Sequence, residues 1–124
     1  MSVQLSPIIA GVMNWGVWDK NLNTNEFTHL INLFIENGIT TFDHADIYGG
    51  YTTEASFGEA LSKSKVDRKK IQLISKCGIQ YISVKRPENH IKHYEYSKDY
   101  IIWSAENSLK NLQTDYLDAL LLHR

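Results

Sequence analysis

The sequence predicts an α/β fold of parallel strands in βαβαβαβ order. Three observations point there. Short apolar runs recur along the 124 residues. Segments with a helical apolar period separate them, and capping or glycine signals mark where one pattern gives way to the next. Parallel strands joined in this way take right-handed crossovers.

The first strand is Ile8-Ile9-Ala10-Gly11-Val12, followed by a polar stretch from Asp19 to Asn23. Asn23 caps the first helix, and Glu26 three residues later completes a capping box. Phe27, Leu30, Ile31 and Phe34 fall at i, i+3, i+4 and i+7 and form one apolar face. Gly38 ends that helix, because a left-handed C-terminal residue costs glycine least. The second strand, Ile39 to Phe42, is β-branched and runs into a loop from Asp43 to Gly50. A second helix is expected over roughly Glu54 to Ser64, capped by Thr53 and burying Phe57, Ala60 and Leu61. The basic residues Lys63, Lys65, Arg68, Lys69 and Lys70 read as a solvated loop before the third strand, Ile71 to Ser75. Residues 77–96 read as a long loop. Ser97 caps a third helix to about Leu112, with Ile101, Ala105, Leu109 and Leu112 on one face. The last strand is Leu117 to Leu122.

Composition narrows the function classes. The chain is 43% hydrophobic and 22% charged, with a formal net charge of -1. That content excludes a disordered chain, and the charge balance argues against a nucleic-acid binder that works by neutralising phosphates. No apolar run is long enough for a membrane helix. The N-terminus lacks the basic and apolar regions of a secretory signal, and a single cysteine, Cys77, closes no internal disulfide. A cytoplasmic setting is expected. A complete eight-stranded barrel needs roughly 250 residues, about twice this length.

In parallel α/β folds the chemistry sits at the C-terminal ends of the strands. Here strand two ends at Asp43 with Tyr48 just beyond, strand three at Lys76, and strand four at His123. Neighbouring strands lie about 4.8 Å apart, so the four groups converge within about 10 Å. An ammonium favours the phenolate of a nearby tyrosine, and a carboxylate holds the ammonium. A histidine can hydrogen-bond a substrate oxygen. Such a set suits general-acid help to a carbonyl reduction, typically worth about 10²–10⁴-fold. Each residue also has a structural reading: Asp43 ends a strand, Tyr48 packs with Tyr51, Lys76 is a surface lysine, and His123 is a hydrogen-bonded structural group. Spacing alone leaves both readings open.

Other motifs carry less. His90-x-x-His93 with Cys77 is an incomplete zinc set, so no metal is expected. Cys77 beside Lys76 has no specified general base. Trp15, Trp18 and Trp103 have no basic stripe beside them, so Trp15 reads as pocket lining and the other two as packing residues.

Four segments carry a resemblance. Thr41 to Gly49 contains Asp43-x-Ala45-x-x-Tyr48-Gly49, followed by Glu54 and Gly58-Glu59-Ala60-Leu61. The others are Ser75-Lys76-Cys77-Gly78, Tyr116-Leu117-Asp118, and Leu121-Leu122-His123-Arg124. In this order they resemble the aldo-keto reductase family, and the Asp-His-Ala-Asp-Ile-Tyr-Gly-Gly-Tyr form is closest to bacterial cytoplasmic members. The resemblance implies the N-terminal half of a TIM (β/α)8 barrel: one partial domain over residues 1–124, with the barrel incomplete. It implies reduction of a small carbonyl substrate with NADPH, less often NADH. Tyr48 is then the proton donor, Lys76 its modulator, Asp43 the partner of Lys76, and His123 the group that orients substrate. Asn14, Trp15 and Asp43 are implied beside the nicotinamide end of the cofactor, although Met13 stands where the family carries a small residue. The family's other cofactor contacts come later than position 124. A half barrel has two open sheet edges, which invite association. The expectation is therefore a truncated, split or incompletely sequenced protein that pairs with a complementary half or with itself. The competing expectation is a non-catalytic fragment that acts only through that pairing.

Overall fold

The computed structural model describes residues 2–124. Four strands, β1 (Ile9–Gly11), β2 (Thr41–Asp43), β3 (Gln72–Cys77) and β6 (Ala119–Leu122), form one parallel sheet in the order β1-β2-β3-β6. Helices α1 (Thr24–Glu36), α3 (Thr53–Ser64) and α4 (Lys98–Leu112) make the crossovers. The sheet is open, as a partial barrel requires. Among the described residues, no helix is long and apolar enough to cross a membrane.

Register sets the two faces of the sheet. Thr41 pairs with Gln72 and Asp43 with Ile74. Side chains alternate along a strand, so Thr41, Asp43, Gln72 and Lys76 share one face. Their own bonds confirm it: Thr41 donates to Gln72 Oε1 at 2.9 Å, and Lys76 donates to Asp43. Phe42 and Leu73 point the other way, into a core shared with α1 and α3.

Helix α1 forms as its sequence dictates. Asn23 accepts from the Glu26 amide at 2.9 Å, and Glu26 Oε2 accepts from the Asn23 amide at 2.9 Å. Phe27 and Ile31 are fully buried, and Leu30 and Phe34 pack beside them.

Several expectations change. Thr53 is not a cap but the first residue of α3, and it is buried. Before it, Tyr48–Tyr51 forms a separate helical turn, α2, in which Gly49, Gly50 and Tyr51 all have positive φ, at 65°, 63° and 71°. A Cβ on Gly49 would meet Thr53 Oγ1 at 2.5 Å, so the turn needs glycine for both space and backbone conformation.

The 77–96 stretch is not a plain loop. It carries β4 (Ile79–Gln80) and β5 (His93–Tyr94), which pair antiparallel. Two-residue strands are too short to show a period. The buried stripe of α4 is Ser104, Ser108 and Leu112, with Ile101, Ala105 and Leu109 only half-buried. The helix turns serines inward because they meet buried acids: Ser104 donates to Asp46 at 3.0 Å and Ser108 to Glu54 at 3.0 Å. A buried carboxylate needs such donors.

The basic run is only partly solvated. Arg68 binds Thr114, Asp118 and the carbonyls of Ile71 and Tyr116 at 2.8–2.9 Å, and its guanidinium lies 3.9 Å from the Tyr116 ring centroid. It ties the entry of β3 to the approach of β6.

Candidate active site

The C-terminal ends of β2, β3 and β6 bring the expected groups together. Lys76 Nζ donates to Asp43 Oδ2 at 2.8 Å, to the His44 carbonyl at 2.9 Å and to Tyr48 Oη at 3.2 Å. All three ammonium protons are thereby assigned, which fixes a flexible side chain. The Lys76 and Asp43 side chains are 16% and 28% exposed, so the pair is screened only partly. His123 continues the β3–β6 ladder through a 2.8 Å bond from its amide to the Cys77 carbonyl. Its ring stands edge-on to Tyr48, with centroids 6.2 Å apart. Tyr48 arrives from the other side, on the α2 turn.

Burial holds the His123 imidazole below its ordinary range, and the charges of Lys76 and Arg124 push it the same way against Asp43. A neutral ring carries one N–H and one acceptor nitrogen. Its Nδ1 is buried without a partner.

A cavity of about 360 Å³ opens over Tyr48 and His123. Met13, Trp18, Ile47, Ile79, Tyr81, Lys92 and Arg124 complete its walls. Trp18 packs edge-on to both Tyr48 and Tyr81, at 6.2 Å between centroids in each case. The volume suits a small organic molecule.

The loop after β1 departs from expectation. Trp15 is not pocket lining. It is 8% exposed, stacked on Phe34 at 5.7 Å and ringed by Phe27, Phe42 and Phe57. Trp18 takes the pocket position instead. Asn14 is exposed in the same loop. Sequence reasoning also missed Ile79, Tyr81 and Lys92. Their position beyond the third strand, at the end where sites form, was the one available signal.

Behind the site lie buried titratable groups. His44 is fully buried against Phe57, at 4.3 Å between centroids, and neither ring nitrogen has a partner. Burial, aided by the Lys76 charge, lowers it to about 3, so it is neutral. Burial pushes Asp46 up despite donors from Ser104 and Tyr100 and the nearby Arg86. Burial also raises the Cys77 thiol, which makes it an unreactive core group.

Chemically, the arrangement offers a phenol held by an ammonium, a neutral imidazole beside it, and an adjoining cavity. The family model described as "Aldo/keto reductase family" matches residues 7–124. The chain is 49% identical over 122 residues to "Uncharacterized oxidoreductase YcsN" of Bacillus subtilis, covering 98% of this chain and 40% of that protein. It is 38% identical to a "6-dehydroglucose reductase" of Agrobacterium fabrum, covering 98% of this chain and 41% of that protein. A crystal structure of a putative aldo-keto reductase from Pseudomonas aeruginosa superposes with TM-score 0.79 at 27% identity, over 97% of this chain and 43% of that one. The chain spans about 40% of the length of the curated relatives it matches.

Proposed function

The chain belongs to the aldo/keto reductase family, and from that premise we propose that it carries the proton-handling end of an NADPH-dependent carbonyl reductase. One observation carries the reading: Lys76 Nζ joins Asp43 Oδ2 and Tyr48 Oη, and Tyr48 lines a cavity together with His123.

A carbonyl oxygen in the cavity sits between Tyr48 Oη and the His123 ring. Neutral His123 donates its N–H to that oxygen and aligns the carbonyl. As the carbonyl carbon gains a hydride, negative charge develops on the oxygen, and Tyr48 gives it a proton. The phenolate left behind faces the Lys76 ammonium, whose own charge Asp43 balances. NADPH, with NADH the less favoured alternative, supplies that hydride when bound. The residues present suit its reactive end: the unpartnered Nδ1 of His123 and the open cavity leave polar capacity and room beside Tyr48. Asn14 and Asp43, at the ends of β1 and β2, would hold that end, whereas Trp15 is committed to the core. We place the protein in the cytoplasm and read residues 1–124 as one partial domain.

The test is carbonyl-dependent NADPH oxidation by the protein and by Tyr48→Phe. The variant should lose about 10²–10⁴-fold in turnover, the range for one general acid, while cofactor binding persists. Retained turnover in Tyr48→Phe overturns the proton-donor role.

A second reading has its own observation. Leu121 and Leu122 on the edge strand β6 are 46% and 58% exposed, and an apolar strand edge favours pairing with a complementary half or a second copy. Sedimentation of the wild type and Tyr48→Phe separates the two. An assembly role leaves the associated mass of both unchanged and shows no turnover in either.

A further inference from the structure

Behind the pocket wall lies a buried cation with no place in the reaction described above. Arg86 is 4% exposed. Its guanidinium is sandwiched between the Tyr51 ring, 4.0 Å from the centroid, and the Trp103 ring of α4, at 4.5 Å. Its Nη1 donates to Tyr100 Oη at 3.2 Å, and Asp46 lies 4.0 Å from Nη2. Burying a charge costs desolvation, so the contacts that surround this one show what it can organise.

What it organises is Tyr51. Tyr51 ends the left-handed turn that begins at Tyr48, and at φ 71° it holds a conformation that an aromatic residue rarely adopts. Its ring is pressed by Arg86. Its hydroxyl accepts from the Tyr81 amide at 3.0 Å and donates to the Ile79 carbonyl at 3.3 Å. Asn89, three residues beyond Arg86, donates to the Tyr81 carbonyl at 3.0 Å. The amide and carbonyl of Tyr81 are therefore both held from this side. On the other side, the Tyr81 ring meets Trp18, which meets Tyr48.

We propose that Arg86 is a positioning residue: by clamping Tyr51 against Trp103 it fixes the backbone of residues 79–81, and so sets the Tyr81–Trp18 wall that decides which carbonyl compounds reach Tyr48. The proposal rests on the reading of the Tyr48 cavity as the carbonyl site. A strained residue over-determined by its neighbours beside a site is the pattern expected of a built constraint. Arg86 touches no reacting atom and acts only through Tyr51. Lysine in its place keeps the charge but lacks the planar face that stacks between two rings.

The test compares the whole chain with Arg86→Met, Arg86→Lys and Tyr51→Phe. Methionine fills the slot without charge, and phenylalanine removes only the hydroxyl. The primary readout is amide hydrogen exchange at Tyr81, with the His44 and Asp118 amides, which donate to the Ile74 and Leu73 carbonyls, as sheet controls. We expect about tenfold faster exchange at Tyr81 in Arg86→Met and Tyr51→Phe, unchanged controls, and partial recovery in Arg86→Lys. In carbonyl reduction, Arg86→Met should raise KM about tenfold while kcat moves less than about twofold. An unchanged Tyr81 amide overturns the clamp. Acceleration at the controls equal to that at Tyr81 also overturns it, because Arg86 would then serve stability alone. A deprotected Tyr81 with an unchanged KM overturns the step from clamp to pocket wall. If the wild-type protein oxidises no NADPH with any carbonyl, the reductase reading fails and the specificity role fails with it, while exchange at Tyr81 still decides the clamp.

Discussion

Replacing Glu54 by glutamine should change how stability depends on pH far more than it changes the fold. Glu54 sits between α3 and α4, 3% exposed. One carboxylate oxygen accepts from Ser108 Oγ at 3.0 Å, and the other has no partner. Burial raises its titration from the usual 4.5 to about 7, with Ser108 opposing, the Asp46 charge assisting and Arg86 opposing. The folded value is the raised one. The stability this group contributes is therefore fully present below about pH 4.5 and is lost as pH rises through about 7. At about 1.36 kcal/mol per pH unit, the loss amounts to about 3 kcal/mol. Glutamine keeps an oxygen for Ser108 and does not titrate. His44 works in the opposite sense. Its folded value falls from 6.5 to about 3, so its contribution is present above about pH 6.5 and is lost as pH falls. Between about pH 4.5 and 6.5 the two slopes oppose each other, and from this pair the wild type should be nearly flat. Urea unfolding followed by circular dichroism across this window reads the difference. Glu54→Gln should expose the His44 slope, losing about 1.4 kcal/mol per pH unit on acidification, and should exceed wild-type stability by about 3 kcal/mol more at pH 8 than at pH 4.5. A difference between variant and wild type that does not change with pH refutes the reasoning.

His44→Leu is the mirror experiment: with the histidine gone, stability should rise on acidification through the same window, and a falling urea midpoint would sink the assignment. Gly58→Ala tests the helix contact. Its new Cβ would stand 2.1 Å from the Asn111 carbonyl oxygen and 2.8 Å from the Leu112 backbone of α4. Backbone cannot rotate away, so a loss of about 1–3 kcal/mol is expected in the same urea assay. An unchanged midpoint would mean that α4 slides freely over α3.

The parts of the fold that were legible in the sequence are those written in local chemistry. The Asn23–Glu26 box and the Phe27 to Phe34 face name α1 outright, because capping and amphipathic burial act within a few residues. That Asp43, Tyr48, Lys76 and His123 would lie near one another was legible because parallel strand ends converge by topology, whereas their roles came only from the family resemblance. Beyond the short β4 and β5 and the shifted start of α3, the side-chain misses share one cause: the partner that places the residue is not visible from its own neighbourhood. Ser104 and Ser108 look like surface residues of α4 until Asp46 and Glu54, more than fifty positions earlier, give them something to bond. Trp15 and Trp18 are three positions apart in one loop, and nothing local says which turns inward. Arg86 and Tyr81 lay in a stretch without periodicity, where packing alone gives each residue its place.

The three tryptophans divide the molecule among themselves. Trp15 belongs to the core, Trp18 to the cavity wall and Trp103 to the slot around Arg86. The chain therefore carries three built-in optical reporters that differ in what they sense. Trp15, at 8% exposure, should emit as a shielded indole and follow global unfolding. Trp18, at 43%, stands where an incoming molecule would displace its water. Trp103, at 46%, has a cation against its face and the Tyr100 ring beside it, and so should respond to changes in that slot. Trp→Phe replacements at any two of these positions together leave one indole, at the third, so folding, cavity filling and the arginine slot can each be followed by its own light.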